Sequence, residues 1–183
     1  MTPSVAVVVF PGVLELELGA ALTVFSLAGG EGTARTVARS RASIVAAGGL
    51  VTTPELMFAA VEPPGAVFVP GGPGAMRAAR DPLVRTFLKA QHARGAMIAA
   101  TGAGVLVLGE SGLVGGMTVS APRDLEGALT DYGAARVVTD DLSQEGGLIT
   151  SPGMLGAVDA ALRVVRLCWG EEREAEVSAR LRA

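Results

Sequence analysis

Short apolar runs alternate with amphipathic segments along most of the chain. The runs at 4–10, 66–69 and 96–100 are almost wholly apolar, a pattern typical of strands buried on both faces of a parallel sheet. The segment 82–93 carries apolar residues at helical spacing and opens on Asp81-Pro82, an N-cap followed by proline. Strands that alternate with helices predict an α/β fold with a mostly parallel sheet and helices on both faces.

The same pattern assigns most of the chain to elements of one domain, residues 1–183. Strands are predicted at 4–10, 33–38, 42–47, 66–69, 96–100, 117–120, 136–139 and 148–150, and helices at 19–29, 75–80, 82–93, 103–110, 124–130, 154–169 and 171–181. Ligands of such folds bind at the carboxyl ends of the strands. The loops at 11–18, 70–74, 100–104, 120–123 and 151–153 are therefore the places to search for a site.

Composition excludes several classes of function. Half of the residues are hydrophobic, and the net charge is −3 with scattered basic residues, unlike the clustered Lys and Arg of a nucleic-acid binder. No window reaches about 18 uninterrupted apolar residues, and no basic segment precedes the first apolar run. We therefore expect a cytoplasmic protein with no nucleic-acid or membrane partner.

The chain has one cysteine, Cys168, and one histidine, His92. A single cysteine excludes an internal disulfide and a multi-cysteine metal site, so no metal and no cofactor is expected. Cys168 comes late in a predicted helix, where a small buried hydrophobe is the simplest interpretation. His92 lies in a polar patch at a helix end, which favours a solvated side chain over a catalytic one.

The segment 95–112 has the form of a catalytic elbow. An apolar strand ends near Ala100, Thr101-Gly102 breaks it, and a helix follows from Ala103. Strand, sharp turn and helix is the geometry that exposes a nucleophile above a sheet. The residue predicted at the top of the strand is Ala100, which carries no reactive group.

Four motifs in order along the chain resemble the ThiJ/PfpI superfamily, and the resemblance covers about residues 4 to 170. They are Val69-Pro-Gly-Gly-Pro-Gly74, Ala99-Ala-Thr-Gly-Ala103, Gly112-Leu-Val-Gly115 and Thr150-Ser-Pro-Gly-x-x-Gly156. The chain is most similar to the isocyanide-hydratase-like branch and to amidase-like sensor domains of AraC-type regulators. The resemblance implies a flavodoxin-like three-layer sandwich, and relatives commonly form homodimers.

The resemblance implies three chemical groups, of which one is present. The family's elbow cysteine matches Ala100, and its histidine, in a Thr-Ser-His-Pro-like stretch, matches Ala121. The family acid that hydrogen-bonds the cysteine matches Glu17. An engineered change could account for Ala100 alone, but not for Ala121 as well.

The remaining candidates are an acid, two hydroxyls and backbone donors. Thr101 and Gly72 match the positions whose N–H groups form the family's anion-binding pocket, and Ser120 lies next to the lost histidine. Either Glu17 points into the pocket without its thiol partner, where it is protonated or holds a ligand, or it is an ordinary exposed glutamate. Glu15 lies on the same side of the Leu-Glu alternation and could take either role.

Three functions follow from these residues. The first is a degenerate domain that binds or senses a small metabolite between Glu17, Gly72, Thr101 and Ser120. The second is a hydratase or hydrolase in which Glu17 acts as acid or base on a bound water. The third is a structural subunit with a vestigial pocket.

Overall fold

The computed structural model describes residues 3–183, and its centre is a seven-stranded sheet. The strands are β1 (Val5–Val8), β2 (Ala34–Ala38), β3 (Ile44–Val45), β4 (Val51–Thr52), β5 (Leu56–Met57), β6 (Ala66–Val69), β7 (Met97–Thr101), β8 (Thr118–Ser120), β9 (Arg136–Val138), β10 (Ser143–Glu145) and β11 (Leu148–Ser151). The helices are α1 (Glu15–Gly29), α2 (Ala75–Arg80), α3 (Pro82–Ala93), α4 (Gly104–Glu110), α5 (Glu126–Asp131), α6 (Gly156–Trp169) and α7 (Glu171–Arg182).

The strand order of the main sheet is β10-β11-β7-β6-β1-β2-β5, and only β10 runs antiparallel to its neighbour. Each residue of β1, β6 and β11 is buried, because helices cover both faces of the sheet. The predicted flavodoxin-like α/β sandwich is thus confirmed. The carboxyl ends of β6, β7 and β11 lie side by side, since these three strands are parallel neighbours.

The predicted strands and helices match the observed ones closely in the centre of the sheet and less well at its edges. β6 has the predicted bounds, and Asp81 caps α3 through a 2.9 Å hydrogen bond from Leu83 N. The edge strand β10 has no counterpart among the predicted strands, because its side chains are polar and half or fully exposed. The short strand β5 was also not predicted. Strand β8 pairs only with β9, outside the main sheet.

Helix α1 begins at Glu15, four residues before its predicted start. The Leu-Glu alternation of this stretch indicates a strand, yet Leu18 N donates to Leu14 O at 3.0 Å and closes a first helical turn. Residues two apart on a helix point about 200° apart, so Glu15 and Glu17 do not share a side. The prediction that they do is wrong.

Two leucines of the C-terminal region are exposed: Leu155, just before α6, and Leu167 within α6 have exposed fractions of 75% and 45%. On α7 an ion pair joins Arg173 Nη1 and Glu176 Oε2 at 2.7 Å. Among the described residues, no helix is long and apolar enough to span a membrane.

Candidate functional site

Glu17 lies in the first turn of α1 and points inward, with 2% of its surface exposed. Its Oε2 accepts hydrogen bonds from the Gly71 N–H at 2.7 Å and from the Thr101 hydroxyl, and its Oε1 accepts one from the Met154 N–H at 2.8 Å. The carboxylate therefore joins helix α1 to the loop after β6, the end of β7 and the loop after β11.

These contacts decide between the two interpretations of Glu17 from the sequence. The side chain points into the site, as the resemblance implies, and it is not an exposed glutamate of a rearranged loop. The expectation that it lacks a partner is wrong, however, because three protein donors occupy a group that accepts about four hydrogen bonds. The backbone donors Gly71 and Met154 were missed by the sequence analysis, since any residue type can supply an N–H group.

The elbow lies two residues further along the chain than predicted. Ala100 is inside strand β7, paired with Val69 of β6 and Thr150 of β11, and is fully buried. The strand continues through Thr101, and the turn is made at Gly102, whose φ is +54°. Non-glycine residues adopt this left-handed conformation at a cost, so a glycine at a strand-to-helix turn was the signal that could have located the elbow.

Gly102 also lies close to the acid. A Cβ atom added to Gly102 would lie 2.9 Å from Glu17 Oε1 and 3.5 Å from the Gly153 Cα. The Gly102 N–H donates to Ser151 O at 3.0 Å, which fixes the turn to the end of β11. A side chain at this position would therefore contact the Glu17 carboxylate directly.

Two backbone N–H groups beside the elbow have no acceptor among residues 3–183. They belong to Gly72 and Ala103, both half-buried. Gly72 has a φ of +137°, and a Cβ added there would approach Leu14 N to 2.7 Å, so the loop needs glycine for this close approach. Unpaired N–H groups in such a loop are suited to an oxygen of a ligand. The structure thus assigns Ala103, rather than Thr101, as the second available donor.

The Thr101 side chain is not available to a ligand. It is fully buried, and its hydroxyl donates to Glu17. This hydrogen bond explains why a hydroxyl-bearing residue ends β7.

Ser120 and Ala121 lie beside β11 and are fully buried. The Ser120 N–H donates to Thr150 Oγ1 at 2.7 Å, while the Ser120 hydroxyl has no partner within residues 3–183. The Ala121 N–H donates to Val138 O at 3.0 Å. Within the described residues no hydrogen bond joins either residue to Glu17, and a role for Ser120 in the pocket stays a prediction.

Glu15 holds a different loop. Its Oε1 accepts from the Gly48 N–H at 2.7 Å and the Leu50 N–H at 3.3 Å. The pKa of Glu15 is lowered, chiefly by the hydrogen bond from its own backbone N–H. The Gly48 and Leu50 N–H groups lower this pKa further, while desolvation acts in the opposite direction. Glu15 therefore anchors the β3–β4 turn and is not part of the Glu17 cluster.

Cys168 and His92 lie at the amino ends of the strands, whereas Glu17 lies at the carboxyl ends. A Cβ on Gly65, which precedes β6, would lie 3.8 Å from Cys168 Sγ, and His92 Nε2 is 3.1 Å from the Gly146 carbonyl oxygen, which precedes β11. Burial raises the pKa of the Cys168 thiol to about 11. Neither side chain can serve a reaction at Glu17. No group of three potential metal ligands occurs in the described part of the chain.

A cleft of about 440 Å³ adjoins the elbow on the β11 side. Ser151, Gly153, Met154 and Asp159 are among its lining residues. Met154 has a φ of +53° and is the one non-glycine residue of the described chain with a positive φ. Strained backbone at a site is retained where the surroundings enforce it, and here the hydrogen bond from Met154 N to Glu17 Oε1 does so.

The fold and the site define a flavodoxin-like α/β protein with a strand–turn–helix elbow and an acid from the first helix. The chain belongs to the DJ-1/PfpI family, whose model matches residues 3–167. Comparison with curated protein sequences gave no match.

Solved structures of the same fold cover nearly the whole chain. Drosophila melanogaster DJ-1beta superposes with a TM-score of 0.91 at 26% identity, over 99% of this chain and 98% of that one. A ThiJ/PfpI family protein from Pseudomonas syringae gives 0.90 at 24% identity, over 100% and 75%. A cysteine-to-alanine mutant of a DJ-1 superfamily protein from Salmonella typhimurium gives 0.87 at 24%, over 98% of both chains.

Proposed function

We propose that this chain is a DJ-1/PfpI-family domain without cysteine-based catalysis, which binds a small metabolite at the vestigial active site. Because the turn is made at Gly102, we place the family cysteine position at Gly102 instead of Ala100, and we keep the histidine position at Ala121. The loop motifs are most similar to the isocyanide-hydratase-like branch.

The observation that carries this proposal is the set of groups around the Glu17 carboxylate. Its three donors are two backbone N–H groups and the Thr101 hydroxyl, and a thiolate or an imidazole is needed to begin thiol chemistry. The chain's one cysteine and one histidine lie beyond the amino ends of the strands, about 13 Å away for a strand of four residues.

The groups that remain are suited to binding. The N–H groups of Gly72 and Ala103 are free to donate to a ligand oxygen. The cleft beside Gly153, which neither of them lines, has room for the rest of a small molecule. The preferred ligand class is thus a small metabolite with a carbonyl or carboxylate oxygen. Homodimer formation, a cytoplasmic location and the lack of a cofactor stay predictions of the sequence.

The alternative is a hydratase or hydrolase in which Glu17 acts as acid or base on a water. A surviving acid at an otherwise intact elbow favours it. The three protein donors and the 2% exposure oppose it, since a catalytic acid or base needs hydrogen-bond reach to the proton it transfers.

Titration with acetate and acetamide, followed by amide NMR, tests the binding role. We expect the Gly72 and Ala103 signals to shift together, because both donors are unpaired. The Gly71 amide is the matched control, since it already donates to Glu17 and should move less. Shifts at neither Gly72 nor Ala103 with either probe would contradict the binding proposal.

A further inference from the structure

A second cavity, of about 430 Å³, lies at the carboxyl ends of β1 and β2, where α2 meets α3. Its walls include apolar side chains from the two strand ends and from the segments that cover them. They are Val9, Phe10, Ile44, Phe58 and Val84. Gly74, at the end of the Gly72 loop, lines it, but Glu17, Gly72 and Gly102 do not. The cavity is therefore distinct from the elbow site.

The charged residues that line this cavity are predominantly basic. Arg39, Arg77 and Arg80 face one acid, Asp81. Both Asp81 oxygens are already used, Oδ2 by Arg39 Nη1 at 3.1 Å and Oδ1 by the Leu83 N–H at 2.9 Å. Within residues 3–183, Arg77 and Arg80 form no salt bridge. The rim of the cavity thus has two exposed arginines without an ion-pair partner among the described residues, in a chain whose net charge is −3.

An adjoining cavity of about 480 Å³ lies along α3 and has both apolar and polar lining residues. The two cavities share Arg39 and Phe58, and the second continues along Phe87 and Leu83 of α3. The Phe58 and Phe87 rings stack with centroids 4.6 Å apart. The first cavity therefore has arginines at its rim, and its apolar surface continues through Phe58 to Phe87 and Leu83, although Arg94 also lines the second cavity.

We propose that this cavity binds an amphipathic monoanion, a carboxylate carried on a medium-length apolar chain. Arg77 and Arg80 bind the carboxylate, since guanidinium groups donate paired hydrogen bonds to carboxylates. The chain of the ligand packs on Phe10 and Phe58. The apolar walls supply the affinity and the arginines select the charge, as is usual in small-molecule sites.

Isothermal titration with four probes tests both halves of the proposal. Octanoate carries the charge and the chain, octanol only the chain, octylammonium the opposite charge, and acetate only the charge. We expect octanoate to bind at least about tenfold more tightly than each of the others, because losing a charge-assisted hydrogen bond or the apolar contacts costs about that factor. Equal binding of octanoate and octanol, or no binding of octanoate, would overturn the proposal.

Variants locate the octanoate site. The double variant Arg77→Gln with Arg80→Gln should weaken octanoate about tenfold or more, whereas Arg180→Gln, an exposed arginine of α7, should not. Ala42→Phe adds bulk at an exposed position that lines the cavity and should block binding with little effect on folding, which circular dichroism checks. Unchanged affinity in the double variant, or shifts of the Gly72 and Ala103 amides rather than cavity amides, would contradict this placement.

Discussion

Gly102→Cys should produce a thiol that reacts with iodoacetamide at least about tenfold faster than the thiol of Ala100→Cys. Gly102 is buried but lies at the turn, next in the chain to the unpaired N–H group of Ala103, which favours a thiolate more than the nearby Glu17 carboxylate opposes it. Ala100 is inside β7 and fully buried, where a thiol stays protonated and out of reach. The measurement is the alkylation rate at neutral pH by mass spectrometry.

Both variants are made in a Cys168→Ala background, so that one thiol is followed. In the native chain Cys168 should react slowly at neutral pH, because burial raises the pKa of its thiol to about 11. Gly102→Cys costs about 1 to 2 kcal/mol for the left-handed backbone, and its Cβ must also displace the Glu17 carboxylate, whose Oε1 lies 2.9 Å away. Thermal melting detects the combined loss. If Ala100→Cys reacts as fast as Gly102→Cys or faster, the elbow is where the motif comparison placed it, and our correction is wrong.

Glu17→Ala should lower the free energy of unfolding by about 3 kcal/mol or more. The change leaves the N–H groups of Gly71 and Met154 and the Thr101 hydroxyl without their acceptor, and each buried unpaired donor costs about 1 to 3 kcal/mol. For a chain of this size the Tm should fall by roughly 6 to 12 °C. Thermal and urea denaturation both measure the effect.

Two further variants test whether the loss of stability is specific to the Glu17 hydrogen bonds or follows from removing any glutamate of this helical turn. Glu17→Gln keeps one acceptor oxygen but places an amide N–H against a donor, so its Tm should lie between those of Glu17→Ala and the native chain. Glu15→Ala is the matched control in the same helical turn, where the side chain accepts two backbone N–H groups near solvent, and its Tm should stay close to native. Equal losses from Glu15→Ala and Glu17→Ala would show that Glu17 has no special structural role.

The central strands of the sheet could be predicted from the sequence because each has a distinctive local pattern. Runs such as Ala66–Val69 are short, wholly apolar and ended by glycine and proline, so burial and chain reversal coincide. Edge strand β10 has no apolar side to bury, and its pairing depends on β11 rather than on its own residues. Tertiary contacts, not local pattern, place it.

The sequence predicted a strand–turn–helix elbow with an acid beside it, but it placed the turn two residues too early. Glu17 was identified from a motif, yet its three donors include two backbone N–H groups that no side-chain pattern can indicate. Ala99, Ala100 and Thr101 all suit a strand, so the strand end could not be fixed from residue type alone. The left-handed turn required at Gly102 was the physical criterion that distinguishes the register.

Turnover by the purified native chain tests the central claim most directly. Isocyanides, methylglyoxal and small amides are assayed with the native protein and with Glu17→Gln, checked by circular dichroism to be folded. We predict no turnover above the rate without protein in either sample, because Glu17 is held by protein donors and no thiol faces it. Turnover by the native chain that disappears in Glu17→Gln would contradict the binding function and establish Glu17 as the acid or base of an enzyme.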